Sequence, residues 1–331
     1  MLKFSELLAP MMKITGRYFG KKLCSDEYKF RAIVYKAPGQ DTGKIIFATA
    51  AGSWDDGASA FTNNGGHSFA KTLEDVVRNH INIKFLAYNN APLGVPNILL
   101  TCIYAAGVII LSTAADSAAW SVHTVPGFPT ARTPYSWPAA ENARGHLLIR
   151  LTISESQINV IGLASLLLVQ PMVHYNNIPE TETAGMPYFN KLAGGKIPTL
   201  PPFTSRRSFV RKMQEVLGSQ RHIRLIKSPA AIDGHNTNLE ADITNWAVSD
   251  PGNIFCHIDK PYFRNQTREP AMAVCIENND IFARFNEIAA QVEDCPLTMK
   301  SHNIFFYLLF NRVSSLLHKY FWCGCDDIDV Q

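Results

Sequence analysis

Strong charge and long apolar runs are both missing from this sequence. Charged residues make up 18% of the 331 residues, and the net charge of +3 does not by itself favour a nucleic-acid partner. The C-terminal stretch 304–322 is apolar, but Asn311, Arg312, His318 and Lys319 interrupt it. A membrane-spanning helix needs about 20 apolar residues, so no membrane span is expected. The hydrophobic content of 47% is ample for a packed core.

The common cofactor and metal motifs are also missing. The chain contains no GxGxxG, no GxxxxGK(S/T), no HExxH and no CxxC pair with matching partners. Cys323 and Cys325 form a CGC near the C-terminus, but no histidine lies at ligand spacing from them. We therefore expect neither a metal ion nor an organic cofactor.

The N-terminal segment 1–23 is a poor match to a secretory signal peptide. Glu6, Pro10, Lys13 and Arg17 interrupt any apolar core that such a peptide would need. We therefore expect this segment to be atypical, with no convincing signal peptide.

Two of the seven cysteines stand in short apolar runs. Cys256 lies in NIFCHI and Cys275 in MAVCIE, and a polar loop separates the two runs. Two strands joined by a loop would place these cysteines side by side, so we expect a disulfide between them. The loop contains the Asn-X-Ser/Thr sequon at Asn265, which is a glycan site if the protein is secreted and a chance triplet otherwise.

Apolar runs alternate with helical patterns along the chain. Strands are predicted at 30–36, 44–50, 81–89, 107–114, 119–125 and 146–153. Amphipathic helices are predicted at 68–80, 205–219 and 278–292, and a long loop at the Gly- and Pro-rich stretch 192–205. This interleaving indicates an α/β fold with a layered core.

Two charged clusters each allow a structural and a functional interpretation. The acids of WDDG, residues 54–57, favour a turn over an ion or hydrolase site. The second cluster is basic, and it is either a solvated helix face or a polyanion-binding surface. Its members are Arg206, Arg207, Arg211, Lys212, Arg221, Arg224 and Lys227.

Several stretches together resemble the deoxyribonuclease II family of the phospholipase D superfamily. They include GSWDDG, FLAYNNAP, WSVHTVPGFP, PYSWP, VQPMVHYNNIP, NWAVSD and the segment from Ile254 to Glu277. They occur in the family's order and cover roughly residues 24–297, whereas the N-terminal segment 1–23 and the C-terminal tail 298–331 fall outside the resemblance.

The resemblance implies an α/β, phospholipase D-like fold of two pseudo-symmetric halves, each with a mixed sheet flanked by helices. The first half would span about residues 24–165 and the second about 166–297, with one active site between them. The resemblance also implies a secreted or lysosomal protein and metal-free cleavage of DNA. One His-X-Lys motif from each half would supply a nucleophile, an acid and two fixed cations.

Both of the motifs that the resemblance implies are degenerate. Tyr104 and Ala106 stand at the first His and Lys positions, Ile243 and Asn245 stand at the second pair, and no His-X-Lys occurs elsewhere. Losing a nucleophile from a coupled catalytic unit slows a reaction on the order of a million-fold. We therefore expect a non-catalytic binding protein. Its partner would be DNA, another polyanion such as a sulfated polysaccharide, an extracellular protein or a second copy in a homodimer.

His123, in WSVHTVPGFP, matches a histidine that the family keeps near its active-site cleft. Without the motif partners we interpret it as a scaffold residue with a local hydrogen bond, or as an anion-binding residue. The alternative to a binding protein is an active, metal-independent acid endodeoxyribonuclease that uses displaced residues. Candidates for that chemistry are His123, His222, Lys260 and Arg264.

Overall fold

The computed structural model describes most of the chain between residues 29 and 292. The described residues are 29–47, 52–57, 59–78, 80–89, 106–165, 171–195, 222–224, 226, 229–258, 273–289 and 291–292. Within them, two larger antiparallel sheets, a two-stranded hairpin and a set of short helices form a mixed α/β architecture.

Eight strands form the larger sheet. They are β1 (Lys29–Lys36), β2 (Lys44–Phe47), β3 (Asp55–Asp56), β4 (Ile83–Asn89), β5 (Ala106–Ser112), β6 (Ser117–His123), β7 (His146–Ile153) and β8 (Val173–Asn176). Their order across the sheet is β3-β2-β1-β7-β6-β5-β4-β8, and each neighbouring pair is antiparallel. The sheet therefore includes β8, which follows residue 166 in the chain.

The smaller sheet is built from the C-terminal part of the described chain. It contains β9 (His222–Arg224), β12 (Trp246–Asp250), β13 (Ile254–Ile258) and β14 (Ala273–Glu277), in the order β14-β13-β12-β9. A separate hairpin joins β10 (Ala230–Ile232) to β11 (His235–Thr237). Cys256 lies opposite Cys275 in the β13–β14 register, and the two form a disulfide with an S–S distance of 2.06 Å. The expected disulfide is confirmed.

Five short helices pack on the sheets within the described residues. They are α1 (Ser68–Thr72), α2 (Glu74–Val77), α3 (Ile158–Ala164), α4 (Pro187–Ala193) and α5 (Asn279–Ile288). α5 begins where the side chain of Asn278 accepts a hydrogen bond from the backbone of Ile281, which satisfies one free N–H of the first turn. Its buried residues recur at helical spacing, so one face of the helix packs on the core.

Both faces of the larger sheet are covered. On one face, α1, α2 and the loop that follows β6 bury an aromatic group made of Phe61, Phe69, Phe128, Tyr135 and Trp137. On the other face, the smaller sheet and α3–α5 pack against residues that include Tyr35, Trp120, Trp246, Phe255 and Phe285. The start of β5, the end of β6 and the start of β7 thus lie between two apolar layers, where polar groups are shielded from water.

The predicted strands of the larger sheet are confirmed, with small changes at their ends. The helix predicted at 278–292 is confirmed as α5, and the helix predicted at 68–80 is divided at Leu73 into α1 and α2. The helix predicted at 205–219 and nearly all of the loop at 192–205 lie outside the described residues. Within the described ranges, every helix is too short or too polar to cross a membrane.

Two expectations about local structure were wrong. We expected mixed sheets, but the described strands pair antiparallel, because hairpins and short returns connect most neighbours. We also expected a turn at WDDG, whereas Asp55 and Asp56 form the short edge strand β3. That strand pairs with Lys44 and Ile45, and the Lys44 ammonium lies 2.9 Å from Asp56, so the acid serves an ion pair at the sheet edge.

Candidate functional site

The first motif position that the resemblance implies lies at the start of β5. Ala106 begins the strand, is 2% exposed and stands directly opposite His123 in the β5–β6 register. Side chains directly opposite each other in an antiparallel pair share one face of the sheet. Position 106 and His123 are therefore neighbours, although the alanine carries no polar group. Tyr104 lies outside the described residues.

His123 is enclosed at the end of β6. Its side chain is 1% exposed, and the backbone N–H of Val125 donates to its Nδ1 at 3.2 Å. Because Nδ1 accepts a hydrogen bond, the neutral ring carries its proton on Nε2. Burial, reinforced by the charges of His146, His174 and His257, lowers the pKa of His123 to about 3. The ring is therefore neutral at ordinary and mildly acidic pH.

The second motif position that the resemblance implies lies in the segment 241–246, which leads into β12. The backbone N–H of Gly145 donates to the carbonyl of Ala241 at 2.7 Å, so this segment lies against the start of β7. The Asp242 carboxylate accepts hydrogen bonds from the hydroxyls of Tyr35 and Thr244. Burial raises the pKa of Asp242, although these hydrogen bonds oppose the rise.

The two motif positions in this segment are buried. Ile243 is 5% exposed and Asn245 is 6% exposed. Asn245 adopts a φ of 48°, a left-handed conformation that asparagine tolerates better than most residues. Its side-chain Nδ2 has no hydrogen-bond partner among the described residues. The segment thus presents one alkyl group and one unused amide donor.

His257, which the sequence did not mark as a site residue, contacts the second motif segment. It stands opposite Trp246 in the β12–β13 register, and its Nδ1 lies 2.7 Å from the carbonyl oxygen of Thr244. A carbonyl can only accept, so Nδ1 carries the proton and Nε2 keeps its lone pair. The side chain is 2% exposed, and burial lowers its pKa to about 4 although the Thr244 bond opposes that shift.

His146 and His174 complete a group that we call the histidine cluster, which consists of His123, His146, His174 and His257. His146 Nδ1 lies 3.2 Å from the Thr124 hydroxyl, and its Nε2 lies 3.1 Å from the Glu141 carboxylate. Burial lowers the pKa of His146 despite that carboxylate, and burial also lowers the pKa of His174. All four rings therefore favour the neutral form.

A buried lysine supports the loop beside the histidine cluster. Lys36, which is fully buried, donates from Nζ to the carbonyl oxygens of Ala37, Gln40, Asn142 and Arg144. Burial lowers its pKa to about 8, although the charges of Asp242, Glu141 and Asp41 oppose that shift. Its donors are used by backbone carbonyls, so it holds the loop before β7 in place.

Comparison with known proteins identifies the family of the chain. The sequence model described as "Deoxyribonuclease II" matches residues 33–233, which is more than half of the 331 residues. The chain belongs to the deoxyribonuclease II family. The match covers β1–β10 and ends before the segment 241–246.

Two curated relatives extend this finding. Deoxyribonuclease-2-alpha of Sus scrofa is 25% identical over 193 residues, which are 54% of this chain and 52% of the relative. Plancitoxin-1 of Acanthaster planci is 26% identical over 159 residues, which are 47% of this chain and 44% of the relative. The chain therefore spans about half the length of the curated relatives it matches.

The structure of this deoxyribonuclease II family member places only part of the other predicted site residues. Arg224 is the one member of the basic cluster with a described side chain, and it donates to Asn286 at 2.6 Å. The other six members of that cluster lie outside the described residues, as do Lys260, Arg264 and Asn265. The backbone of His222 lies in β9, but its side chain is not described.

Sequence reasoning marked His123 and the two motif positions but missed His146, His174 and His257. The missed histidines lie in β7, β8 and β13, and the apolar run around each of them predicts only an ordinary strand. The one available signal was a histidine in place of an apolar residue, as in NIFCHI. In the described part of the chain, no three His, Cys, Asp or Glu side chains are placed to hold a metal ion.

Proposed function

We propose that this protein binds nucleic acid or another polyanion and does not cleave it. The observation that carries the proposal is the side chain of Ile243, which is 5% exposed and stands where the resemblance expects a catalytic histidine. An alkyl group can neither attack phosphorus nor transfer a proton. Ala106, at the first lysine position, is also buried and carries no charge.

The environment of His123 supports the same proposal. A catalytic acid works best when its pKa is near the working pH. The pKa of His123 is lowered to about 3, so the ring is neutral in mild acid. With Nδ1 already used by Val125 and a ring that stays neutral in mild acid, His123 does not replace the missing motif as an acid.

Family membership supports the remaining parts of the proposal. We place the chain in a phospholipase D-like arrangement of two halves, the first about residues 24–165 and the second about 166–297. We propose a secreted or lysosomal protein whose ligand is DNA, a sulfated polysaccharide or an extracellular protein, with a homodimer as a further form. The basic residues at 206–227 would supply the sequence-independent part of polyanion binding.

Incubation with supercoiled plasmid in EDTA tests the proposal. At about pH 5, where a histidine-based acid nuclease would work, we expect the plasmid to stay supercoiled while an active acid deoxyribonuclease relaxes it. In parallel, the fluorescence anisotropy of a labelled duplex should rise with protein and fall with added salt. Nicking that His123→Asn or His257→Asn abolishes would overturn the proposal.

A second candidate function is cleavage by displaced residues, and the geometry of His257 favours it. The ring presents a free Nε2 lone pair and is oriented through Nδ1 by the carbonyl of Thr244, which is the arrangement that a histidine nucleophile needs. This reaction also needs an acid for the leaving oxygen and cations for the phosphoryl charge. The plasmid assay with His257→Asn decides between the two functions.

A further inference from the structure

Apart from Nε2 of His146 and Oε2 of Glu141, which face each other at 3.1 Å, four buried polar atoms in and beside the histidine cluster have no hydrogen-bond partner among the described residues. They are Nε2 of His123, His174 and His257 and Nδ2 of Asn245. Unpaired buried polar atoms are rare in native proteins, and each one requires an explanation. A ligand that pairs several of them at once is the simplest explanation when the atoms belong to one region.

We infer that His123, His174, His257 and Asn245 form a binding site for a phosphate monoester, such as the terminal phosphate of a nucleic acid. The inference deepens the proposed function, because it names the chemical group that the protein holds. It assigns ligand binding to His174 and His257, which lie outside both degenerate motifs.

Backbone contacts bring Asn245 and His123 into the same region. The N–H of Gly145 donates to the carbonyl of Ala241 at 2.7 Å, which holds the segment carrying Asn245 against the start of β7. β7 pairs with β6, whose last residue is His123. The second motif segment and the end of β6 are therefore neighbours across the start of β7.

His257 and His174 belong to the same region. His257 is tied to the second motif segment by its 2.7 Å contact with the carbonyl oxygen of Thr244. His174 follows Met172 in the chain by two residues, and the carbonyl of Met172 accepts from the N–H of Asn89. Asn89 stands opposite Ala106, which stands opposite His123, so β8 reaches the same end of the larger sheet. His174 is only partly buried, so the cluster meets solvent on the side of β8.

The unused atoms of this site differ in hydrogen-bonding character. Nε2 of His123 carries a proton, because Nδ1 accepts from Val125, and Nδ2 of Asn245 is also a donor. Nε2 of His257 carries a lone pair, because its Nδ1 proton points at the carbonyl of Thr244. A matching ligand must therefore present at least two acceptors and one donor.

A phosphate monoester has this combination of groups in mild acid. Its second pKa is about 6, so at about pH 5 it is a monoanion with two acceptor oxygens and one P–OH donor. A phosphodiester carries the same single charge but has no P–OH, so it leaves Nε2 of His257 without a partner. A single metal ion does not fit either, since no three candidate ligands in the described residues are placed around one point.

The burial of the site favours a terminal group over an internal one. His123 and His257 are 1% and 2% exposed, so their free nitrogens lie below the surface. An internal phosphodiester continues on both sides into the chain, and both continuations would have to pass through packed protein. A terminal phosphate enters end-on, from the partly exposed side of His174.

Calorimetric titration of the full chain with methyl phosphate and dimethyl phosphate tests the inference at about pH 5, where both probes are monoanions. We expect methyl phosphate to bind about tenfold more tightly, as one hydrogen bond predicts. His257→Asn keeps a side-chain N–H for the carbonyl of Thr244 but deletes Nε2, so this difference should disappear. His123→Asn keeps an acceptor for Val125 and should weaken both probes.

A buried histidine outside the cluster provides the matched control. His67 caps α1 through Nδ1, and asparagine is a good cap, so His67→Asn removes one buried ring without touching the site. We expect both affinities to remain as in the wild type. Equal binding of the two probes, or an unchanged preference in His257→Asn, would refute the inference whether or not the protein cleaves plasmid.

Nitrogen NMR of the wild-type protein gives a second test that does not depend on any variant folding. Histidines labelled with nitrogen-15 report which ring nitrogen is protonated. Methyl phosphate should shift the Nε2 signals of His123, His174 and His257 and leave that of His67 unchanged. Shifts with dimethyl phosphate as large as those with methyl phosphate, or no shift with either, would overturn the monoester assignment.

Discussion

Gly145 lies directly against Asp242. A Cβ atom at position 145 would stand 2.4 Å from Oδ1 of that aspartate and 3.1 Å from its Cα. The close approach lets the N–H of Gly145 reach the carbonyl of Ala241 at 2.7 Å. One glycine therefore holds the second motif segment beside β7, where the histidine cluster begins.

Gly145→Ala should destabilise the fold and displace the second motif segment. Overpacking at a tight contact costs about 1–3 kcal/mol, because the buried Asp242 network must move. The free energy of unfolding from urea titration measures the loss. Gly185→Ala is the control, since nothing lies within 4 Å of a Cβ there, and it should change stability by less than about 0.5 kcal/mol. Equal effects of the two changes would contradict the close approach of Gly145 to Asp242.

Stability should fall as the pH drops below neutral. The folded pKa values of His123 and His257 are about 3 and about 4, below the ordinary 6.5. Between these values and 6.5 the unfolded chain binds more protons, so each group lowers the free energy of unfolding by up to about 1.4 kcal/mol per pH unit of acidification. Urea titrations at a series of pH values should show this slope.

A variant isolates the contribution of one ring to that slope. His123→Asn removes the titrating group and keeps an acceptor for Val125, so its stability should depend less steeply on pH. Gly185→Ala, which removes no titrating group, should keep the wild-type slope. A wild-type slope in His123→Asn would show that this ring is not buried in the neutral form.

Most of the secondary structure could be predicted from the sequence because its apolar residues recur at regular spacing. The strands of the larger sheet and α5 each bury residues at strand or helix spacing, and Cys256 and Cys275 stand in matching apolar runs. The histidine cluster could not be predicted in this way. Its members come from β6, β7, β8 and β13, and their meeting depends on strand order and on the contact between Gly145 and Asp242.

The sequence also could not predict which ring nitrogen of each cluster histidine carries the proton. Which nitrogen of His257 is free depends on the carbonyl of Thr244, and which nitrogen of His123 is free depends on the N–H of Val125. Both partners are backbone groups, which every residue has, so no side-chain pattern reveals them. The short strand at Asp55 and Asp56 was missed for a similar reason, since it pairs through its backbone with Lys44 and Ile45 of β2.

Removing the disulfide should destabilise the smaller sheet. Cys256 and Cys275 are 19 residues apart, and closing a loop of that size stabilises the folded state by about 3 kcal/mol. The double variant Cys256→Ala, Cys275→Ala should therefore lose stability in urea titration. The wild type in reducing agent provides the comparison, and it should fall by a similar amount. A double variant as stable as the oxidised protein would contradict this expectation.

Neutralising the basic cluster should weaken polyanion binding if that cluster is a binding surface. Arg206, Arg207 and Arg211 changed together to Gln remove three charges. On duplex DNA the slope of log affinity against log salt should become shallower by about 0.9 for each phosphate that the variant no longer neutralises. Lys71→Gln, an exposed change on α1, is the control. Unchanged affinity in the triple variant would assign the cluster to an ordinary solvated helix face.

Restoring the four motif residues tests whether the scaffold still supports the family reaction. The quadruple variant Tyr104→His, Ala106→Lys, Ile243→His, Asn245→Lys should regain some nicking of plasmid in EDTA, since each motif then supplies a histidine and a lysine. Activity should be low, because positions 106, 243 and 245 are buried and a site held loosely loses much of its rate. Lysine at position 245 must also adopt a φ of 48°, which costs about 1–2 kcal/mol.

Variants restored in one half only are the matched controls for that experiment. Tyr104→His with Ala106→Lys, or Ile243→His with Asn245→Lys, supplies a single histidine and should leave the plasmid intact, because the reaction that the resemblance implies takes its nucleophile and its acid from different halves. Circular dichroism and urea titration establish that each variant is folded. A folded quadruple variant that does not nick would mean that the cleft has been remodelled around the histidine cluster. Nicking by a variant restored in one half would show that a ring already present, His257 or His123, completes the site.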